Sequence, residues 1–361
     1  MAKDLLTRAS RRKKESSSSA GSKSSSRYGM LILLVCLVGY NVRKYRGTFE
    51  GFGAPASAKN VTTAVTSTST STTTTKKITT TTDTTNTNNN IFAKAFHDSY
   101  GYFDDIPLVD WQRHQQWALT QIDHRYMFNP RRHYGNPALW YYNSFNPVFS
   151  CPQVKRVWGV GDGPKYVCDP HRLVTVAKRR QEEQGHGCLI YSVGSNGNYE
   201  FEDGLVNYLG TSKACEIHIF DYSRDYNRPE NAPRNMHFHQ LGLQGSQQNR
   251  ARGEFASFPQ ILQKLGHENR VIDIFKIDCE GCEWDSYKDW IAHPHMRQVL
   301  IETHELPKEW DHGIDFFTSF KRNGFAMYSK EVNGFGDGKY YEFSYIKLHP
   351  QFWNNETTLV T

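Results

Sequence analysis

From residue 187 onward, short apolar runs alternate with amphipathic segments of helix length. The runs at 188–193, 215–221, 235–241, 271–278 and 298–304 read as strands, and 199–209, 257–265, 284–291 and 314–322 as helices. Strands alternating with helices argue for βαβ units and a mainly parallel sheet. The last two runs, 325–329 and 339–348, are joined instead by the Gly-rich turn Asn333-Gly-Phe-Gly-Asp-Gly338, which makes a β-hairpin. The expected fold is α/β: a doubly wound, seven-stranded sheet, mostly parallel, closed by a C-terminal antiparallel β-hairpin.

Upstream of 187 the pattern changes repeatedly. Residues 1–27 are basic and Ser-rich, 28–42 are uncharged around Met30-Leu-Ile-Leu-Leu-Val-Cys-Leu-Val38, and 43–96 are dominated by Thr, Ser and Asn. As a helix the uncharged run rises about 22 Å, short of the roughly 30 Å hydrocarbon core. Polar sequence on both sides gives it nothing to pack against, and the basic leader is long for a cleaved signal peptide. An uncleaved transmembrane signal anchor is expected, with 1–27 cytosolic and the remainder lumenal, because the heavier basic flank precedes the span. A short span fits the thinner membranes of the ER or Golgi; secretion after cleavage is the alternative. The 43–96 stem is too poor in large apolar residues to fold. Residues 97–186 read as an N-terminal extension, 187–353 as the domain proper and 354–361 as a tail. The net charge of +6 lies mostly in the basic tail, so it argues for no nucleic-acid-binding face.

Apart from Cys36 in the span there are six cysteines. An even number in a lumenal domain permits disulfides. Cys151 and Cys168 lie in a loop-like Gly/Pro-rich region and are the first candidates for a bridge. Cys188 and Cys215 begin predicted strands and read as small buried residues. The sequons Asn60-Val-Thr62 and Asn355-Glu-Thr357 agree with a glycoprotein in the lumen.

Candidate chemistry collects where strands end, since ligands of open α/β sheets bind outside the carboxyl ends of the strands. After the first strand comes Gly194-Ser195-Asn196-Gly197, too sparse in glycine for the G-x-G-x-x-G that cradles a pyrophosphate. S-adenosyl-L-methionine has no phosphate; it needs close backbone approach and an acid for its ribose hydroxyls. Asp221, followed by Tyr222, ends the second strand and supplies that acid. Asp278, Glu280 and Glu283 follow the fourth strand, although Glu283 also suits the positive end of the next helix. Cys279-Glu-Gly-Cys282 reads as structural and not as a redox pair. His304, on the same rim as Asp278, is the candidate base, histidine being the usual choice near neutral pH. His218, His237 and His239 lie within strands; with Glu216 they fall short of a ligand set, and no metal is expected.

The run Lys276-Ile-Asp-Cys-Glu-Gly-Cys-Glu283 resembles the K-I-D-x-E-G-x-E signature of FkbM-type S-adenosylmethionine-dependent methyltransferases, and Ile301-Glu-Thr-His304 resembles the end of their next strand. The chain is more closely similar to the eukaryotic family that includes methyltransferase-like protein 24, sharing the Gly159-Val-Gly-Asp-Gly-Pro-Lys-Tyr-Val-Cys-Asp-Pro170 stretch and Ile190-Tyr-Ser-Val-Gly194. The likeness covers about 150–348. It implies a class I methyltransferase-like fold, with Gly194 to Gly197 and Asp221 holding the cofactor. It also implies that Asp278 faces the methyl-transfer centre, with Glu280 and His304 nearby. Relatives often carry an acid just before the glycine turn, where this chain has Tyr191-Ser-Val193; Glu200 or Glu202 is the candidate replacement. A hydroxyl acceptor, on a glycan or small molecule, is expected. The rivals are a Golgi glycosyltransferase, for which no convincing D-x-D motif stands in the sequence, and an inactive methyltransferase-fold binding module.

Overall fold

The chain divides into two units, Met1–Ile78 and Thr79–Thr361. The computed structural model describes residues 94–122, 144–159, 161–209, 215–223, 235–248, 254–305, 310–336 and 338–354, all in the second unit. The expected span, most of the stem, the C-terminal tail and both sequons lie outside the described residues. Among those described, no helix is long and apolar enough to cross a membrane.

In chain order the elements are α1 (Leu108–Ile122), β1 (Val154–Val157), β2 (Lys165–Cys168), α2 (Pro170–Gln184), β3 (Cys188–Val193), α3 (Glu200–Leu209), β4 (Cys215–Asp221) and β5 (Met236–Gln240). There follow β6 (Gly242–Leu243), β7 (Phe255–Ala256), α4 (Phe258–Leu265), β8 (Ile272–Ile277), α5 (Cys282–Trp290), β9 (Met296–Thr303), α6 (Trp310–Arg322), β10 (Phe325–Val332) and β11 (Tyr341–Lys347). Seven strands form one sheet in the order β10-β11-β9-β8-β3-β4-β5, with β11 antiparallel to both neighbours and the other pairings parallel. This is the class I methyltransferase-like sheet expected from the sequence.

The central strands β3 and β8 are buried along their whole length, as a sheet covered on both faces requires. Side-chain alternation divides the core. Ile190, Ile217, Ile219 and Leu300 pack with Leu173, Phe201 and Leu205 from α2 and α3. Tyr191, Val193, Phe275 and Ile301 pack with Ile261, Trp290 and Phe316 from α4, α5 and α6. Two charged residues interrupt β8, Asp273 and Lys276, and the first is 1% exposed. Arg180 of α2 clamps it through two hydrogen bonds of 2.8 and 3.0 Å, and the Leu189 amide donates to it at 3.0 Å. Such a bidentate pair satisfies both partners, without which a buried carboxylate is costly.

Three features differ from the sequence reading. Residues 154–168, read as loop, form the antiparallel β1–β2 hairpin, and α2 follows from Pro170 at its first turn. The α5 helix begins at Cys282, two residues before the expected start. Cys188 and Cys215 are register partners on adjacent strands, with Cα atoms 4.4 Å apart, and are bridged rather than merely buried. The pairing of Cys151 with Cys168 is as expected, at a Cα separation of 5.8 Å, and Cys279 pairs with Cys282.

Candidate functional site

A cavity of about 430 Å³ opens at the carboxyl ends of β3, β4 and β8. Its floor is the turn after β3. Gly194 has φ +77°, and a Cβ there would lie 1.6 Å from the Asp278 carbonyl oxygen, so only glycine lets the turn press against the end of β8. The turn is pinned from three sides. The Gly194 amide donates to Phe220 O (2.9 Å), Lys276 Nζ donates to Gly194 O (2.6 Å), and the Asp278 amide donates to Val193 O (2.9 Å).

Asp221 holds the turn's far side. Its Oδ2 accepts the amides of Ser195 (2.9 Å) and Asn196 (2.6 Å), and Oδ1 accepts the Ser223 amide at 2.8 Å. A carboxylate oxygen has two acceptor sites, so Oδ1 keeps one open towards the cavity. Asp221 thus has one acceptor position left on Oδ1 for the ribose hydroxyls expected there. Asp221→Asn is expected to weaken cofactor binding about tenfold, since a charge-assisted hydrogen bond contributes about 1.5–3 kcal/mol and part survives in the amide; equilibrium titration checks this.

Gly194, Ser195, Asn196, Asp221, Tyr222, Asp278 and Glu280 all line the cavity, so most of the expected residues meet at one place. Gly197 and Glu202 are not among its lining residues. Glu202 is 1% exposed beneath β3, where it accepts a short hydrogen bond from Ser192 Oγ. Of the two candidate replacement acids, it is Glu200 that reaches the cavity wall. Phe201, Phe220, Leu243 and Phe255 give the cavity an apolar side suited to a planar base. Lys276 is the one basic residue among the described lining residues, and its ammonium is engaged by Gly194 O. An acid-rich pocket whose one lining lysine is already engaged fits a cationic, phosphate-free ligand such as a sulfonium nucleoside.

Behind Asp278 lies a charge cluster that sequence reasoning missed. Lys165 of β2, 1% exposed, donates to Asp278 Oδ2 (3.0 Å), Glu302 Oε2 (3.3 Å) and Glu342 Oε1 (2.6 Å). Burial pulls the lysine pKa down, but the three carboxylates outweigh it and raise it. Burial would likewise raise Asp278; Lys165, Lys276 and His304 together hold it well below the usual carboxylate range. Asn333 of the hairpin turn bridges Glu302 (2.6 Å) to Asp162 (2.8 Å) in the β1–β2 loop. That loop contributes Trp158, Asp162, Gly163 and Pro164 to the cavity. The signal for it was available: a Gly-rich turn between two β-rich segments, ending in Lys165.

His304 stands beside this cluster, not on the cavity wall. Its Nε2 lies 3.5 Å from Asp278 Oδ1 and 3.8 Å from Glu280 Oε1, and its Nδ1 lies 3.3 Å from Glu283 Oε1. Glu283 Oε1 also accepts the His304 amide at 2.6 Å, so Glu283 ties α5 to the end of β9. Burial lowers the imidazole pKa, but Glu283, then Asp278 and Glu302, raise it to about 9. These carboxylates favour the imidazolium, which bears against the expectation of a base poised near neutral pH, and the ring lies where it can hold Asp278 in place. A raised pKa stabilises the fold fully below the ordinary value of 6.5 and less as pH climbs through about 9. The stability difference between wild type and His304→Gln is expected to shrink over that window in chemical denaturation at stepped pH. Lys330 and Lys347, lowered by burial to about 8, act with opposite sign but cancel in the difference.

Residues 93–347 match a family model described as a methyltransferase domain. No curated protein matches the chain. Solved structures with detectable likeness include Aeropyrum pernix fibrillarin with bound S-adenosyl-L-methionine (13% identity, TM-score 0.29, 54% of this chain and 86% of that one). Others are Methanococcus jannaschii fibrillarin (10%, 0.31, 54% and 97%) and Burkholderia thailandensis 1,6-didemethyltoxoflavin-N1-methyltransferase with S-adenosylhomocysteine (12%, 0.27, 50% and 79%).

Proposed function

The chain belongs to the methyltransferase-domain family, whose methyl donor is S-adenosyl-L-methionine, and we propose that it methylates a hydroxyl group on a glycan or small molecule. The observation that carries this reading is the acid-rim cavity. Asp221 and the 194–197 turn form one end of it, Asp278 and Glu280 the other, and no free basic side chain among the described lining residues offers itself to a phosphate. S-adenosyl-L-methionine bound there supplies an electrophilic methyl group on a sulfonium.

The chain's own residues do the positioning, which supplies much of the rate in such transfers. Asp221 Oδ1 accepts one ribose hydroxyl, and Phe220, Leu243 and Phe255 flank the base. Asp278, kept ionised by Lys165, accepts a hydrogen bond from the acceptor hydroxyl and aims its oxygen. As the oxygen takes the methyl group and the carbon–sulfur bond breaks, the hydroxyl's single proton passes along that hydrogen bond to Asp278, then to Glu280, 82% exposed by its side chain at the cavity rim, and on to solvent. His304 keeps its proton and fixes Asp278.

The lumenal address follows from the anchor and stem expected in residues 1–96. It is supported by the pairing of all six cysteines of the described region, since such bridges persist in oxidising compartments. Kinship with the FkbM-type and methyltransferase-like protein 24 families is the finer assignment we propose, on the 276–283 and 159–170 motifs. In a thermal melt of the full chain, S-adenosylhomocysteine at about 100 times its dissociation constant should stabilise by about 2.7 kcal/mol. Stabilisation by a sugar nucleotide instead would replace this reading with a glycosyltransferase, and by neither ligand with a binding module.

A further inference from the structure

Outside the lining of the cofactor cavity, a second cluster gathers residues from two elements. Glu216 and His218 project from β4, and His267 from the turn that ends α4; one ligand atom from each lies within 4.8 Å of the others. His218 is 5% exposed, and its Nε2 has no hydrogen-bond partner although it faces Glu216 Oε1 at 3.9 Å. The other ring nitrogens are occupied in the way metal ligands usually are. His218 Nδ1 meets His239 Nε2 at 2.9 Å, and His267 Nδ1 meets the Tyr191 hydroxyl at 2.7 Å. Partners of this kind fix ring orientation and direct the opposite nitrogen to a common centre.

The place of a cation is taken by Arg270. Its Nη1 donates to Glu216 Oε2 and reaches His267 Nε2 at 3.3 Å. The arginine is poorly served there, because its Nε and Nη2 are buried without acceptors. Unsatisfied buried N–H groups are costly, and turning the side chain out to water relieves them.

We propose that Glu216, His218 and His267 form a divalent metal site of the zinc class, filled when Arg270 swings outward. Two imidazoles and a carboxylate suit zinc with water as a fourth ligand. The ion would tie the end of α4 to the β4–β5 edge of the sheet, a role independent of methyl transfer.

The test uses the full-length chain, freed of metal with chelator and then equilibrated with zinc alone. Bound zinc is measured by atomic emission, and cobalt(II) is substituted for its tetrahedral absorption bands. The expected result is about one zinc per chain with tetrahedral cobalt bands. Affinity should fall at least roughly tenfold in Glu216→Gln and His267→Gln, and rise in Arg270→Gln, which removes the competing cation. The Arg270 variant keeps the test decisive should the others fold poorly. Absence of stoichiometric zinc in both wild type and Arg270→Gln overturns the site. So does zinc binding unchanged across all three variants, which would place the ion elsewhere.

Discussion

Replacing Lys165 by methionine is expected to destabilise the fold by about 3–5 kcal/mol, because it leaves buried carboxylates without their cation. Lys165 touches Asp278, Glu302 and Glu342 at once, and of these Asp278 lines the cavity while the other two are buried behind it. Methionine fills a similar volume, so the loss is electrostatic and not a cavity. The acids are not equivalent. Burial raises Glu342 well above the usual carboxylate range, and Glu302 and Asp278 raise it further, against the opposing pull of Lys165. Glu342→Gln keeps a neutral hydrogen-bonding side chain in place and leaves Lys165 its bonds to Asp278 and Glu302, so it should cost far less than Lys165→Met. Urea unfolding of the two variants separates them; equal losses would mean that the cluster is not organised around the lysine.

Gly194→Val is expected to abolish measurable cofactor binding, a loss of at least roughly 100-fold or about 2.7 kcal/mol. Two physical causes act together. The residue sits at φ +77°, where a β-branched side chain is strained. The added Cβ would also collide with the Asp278 carbonyl, 1.6 Å away, and something must shift. Either the turn lifts off, breaking the Ser195 and Asn196 bonds to Asp221, or Asp278 moves away from the rim. Both outcomes spoil the cavity, at its cofactor end or its acceptor end. Equilibrium titration of the variant with S-adenosylhomocysteine, alongside its melting curve, shows whether binding is lost in a folded protein.

The sheet was legible because its signal is periodic and local. Runs such as Ile272–Ile277 and Cys188–Val193 are mostly apolar and buried on both faces, and Gly-containing turns mark their ends. The acids at 221 and 278 were legible for the same reason, since a polar residue ending an apolar strand has few structural explanations. What escaped was everything set by contacts distant in sequence. Lys165 meets Asp278 across 113 residues and Glu342 across 177, and no local pattern marks a lysine as buried. The protonation state of His304 depends on Glu283, Asp278 and Glu302 converging on one ring, so its type and position suggested a base while its surroundings make it a cation. Glu202 failed in the opposite way. Its helix was placed correctly, but the register of that helix on β3 turns the carboxylate to Ser192 and not to the cavity.

The central claim is that the cavity between Asp221 and Asp278 holds S-adenosyl-L-methionine. Calorimetric titration of the full-length protein with S-adenosylhomocysteine tests it most directly, with Gly194→Val and Asp221→Asn beside the wild type. The account predicts one-to-one binding by the wild type, about tenfold weaker binding by Asp221→Asn, and none by Gly194→Val. Binding of equal strength in all three would place the cofactor elsewhere, and absence of binding by the wild type would contradict the account outright.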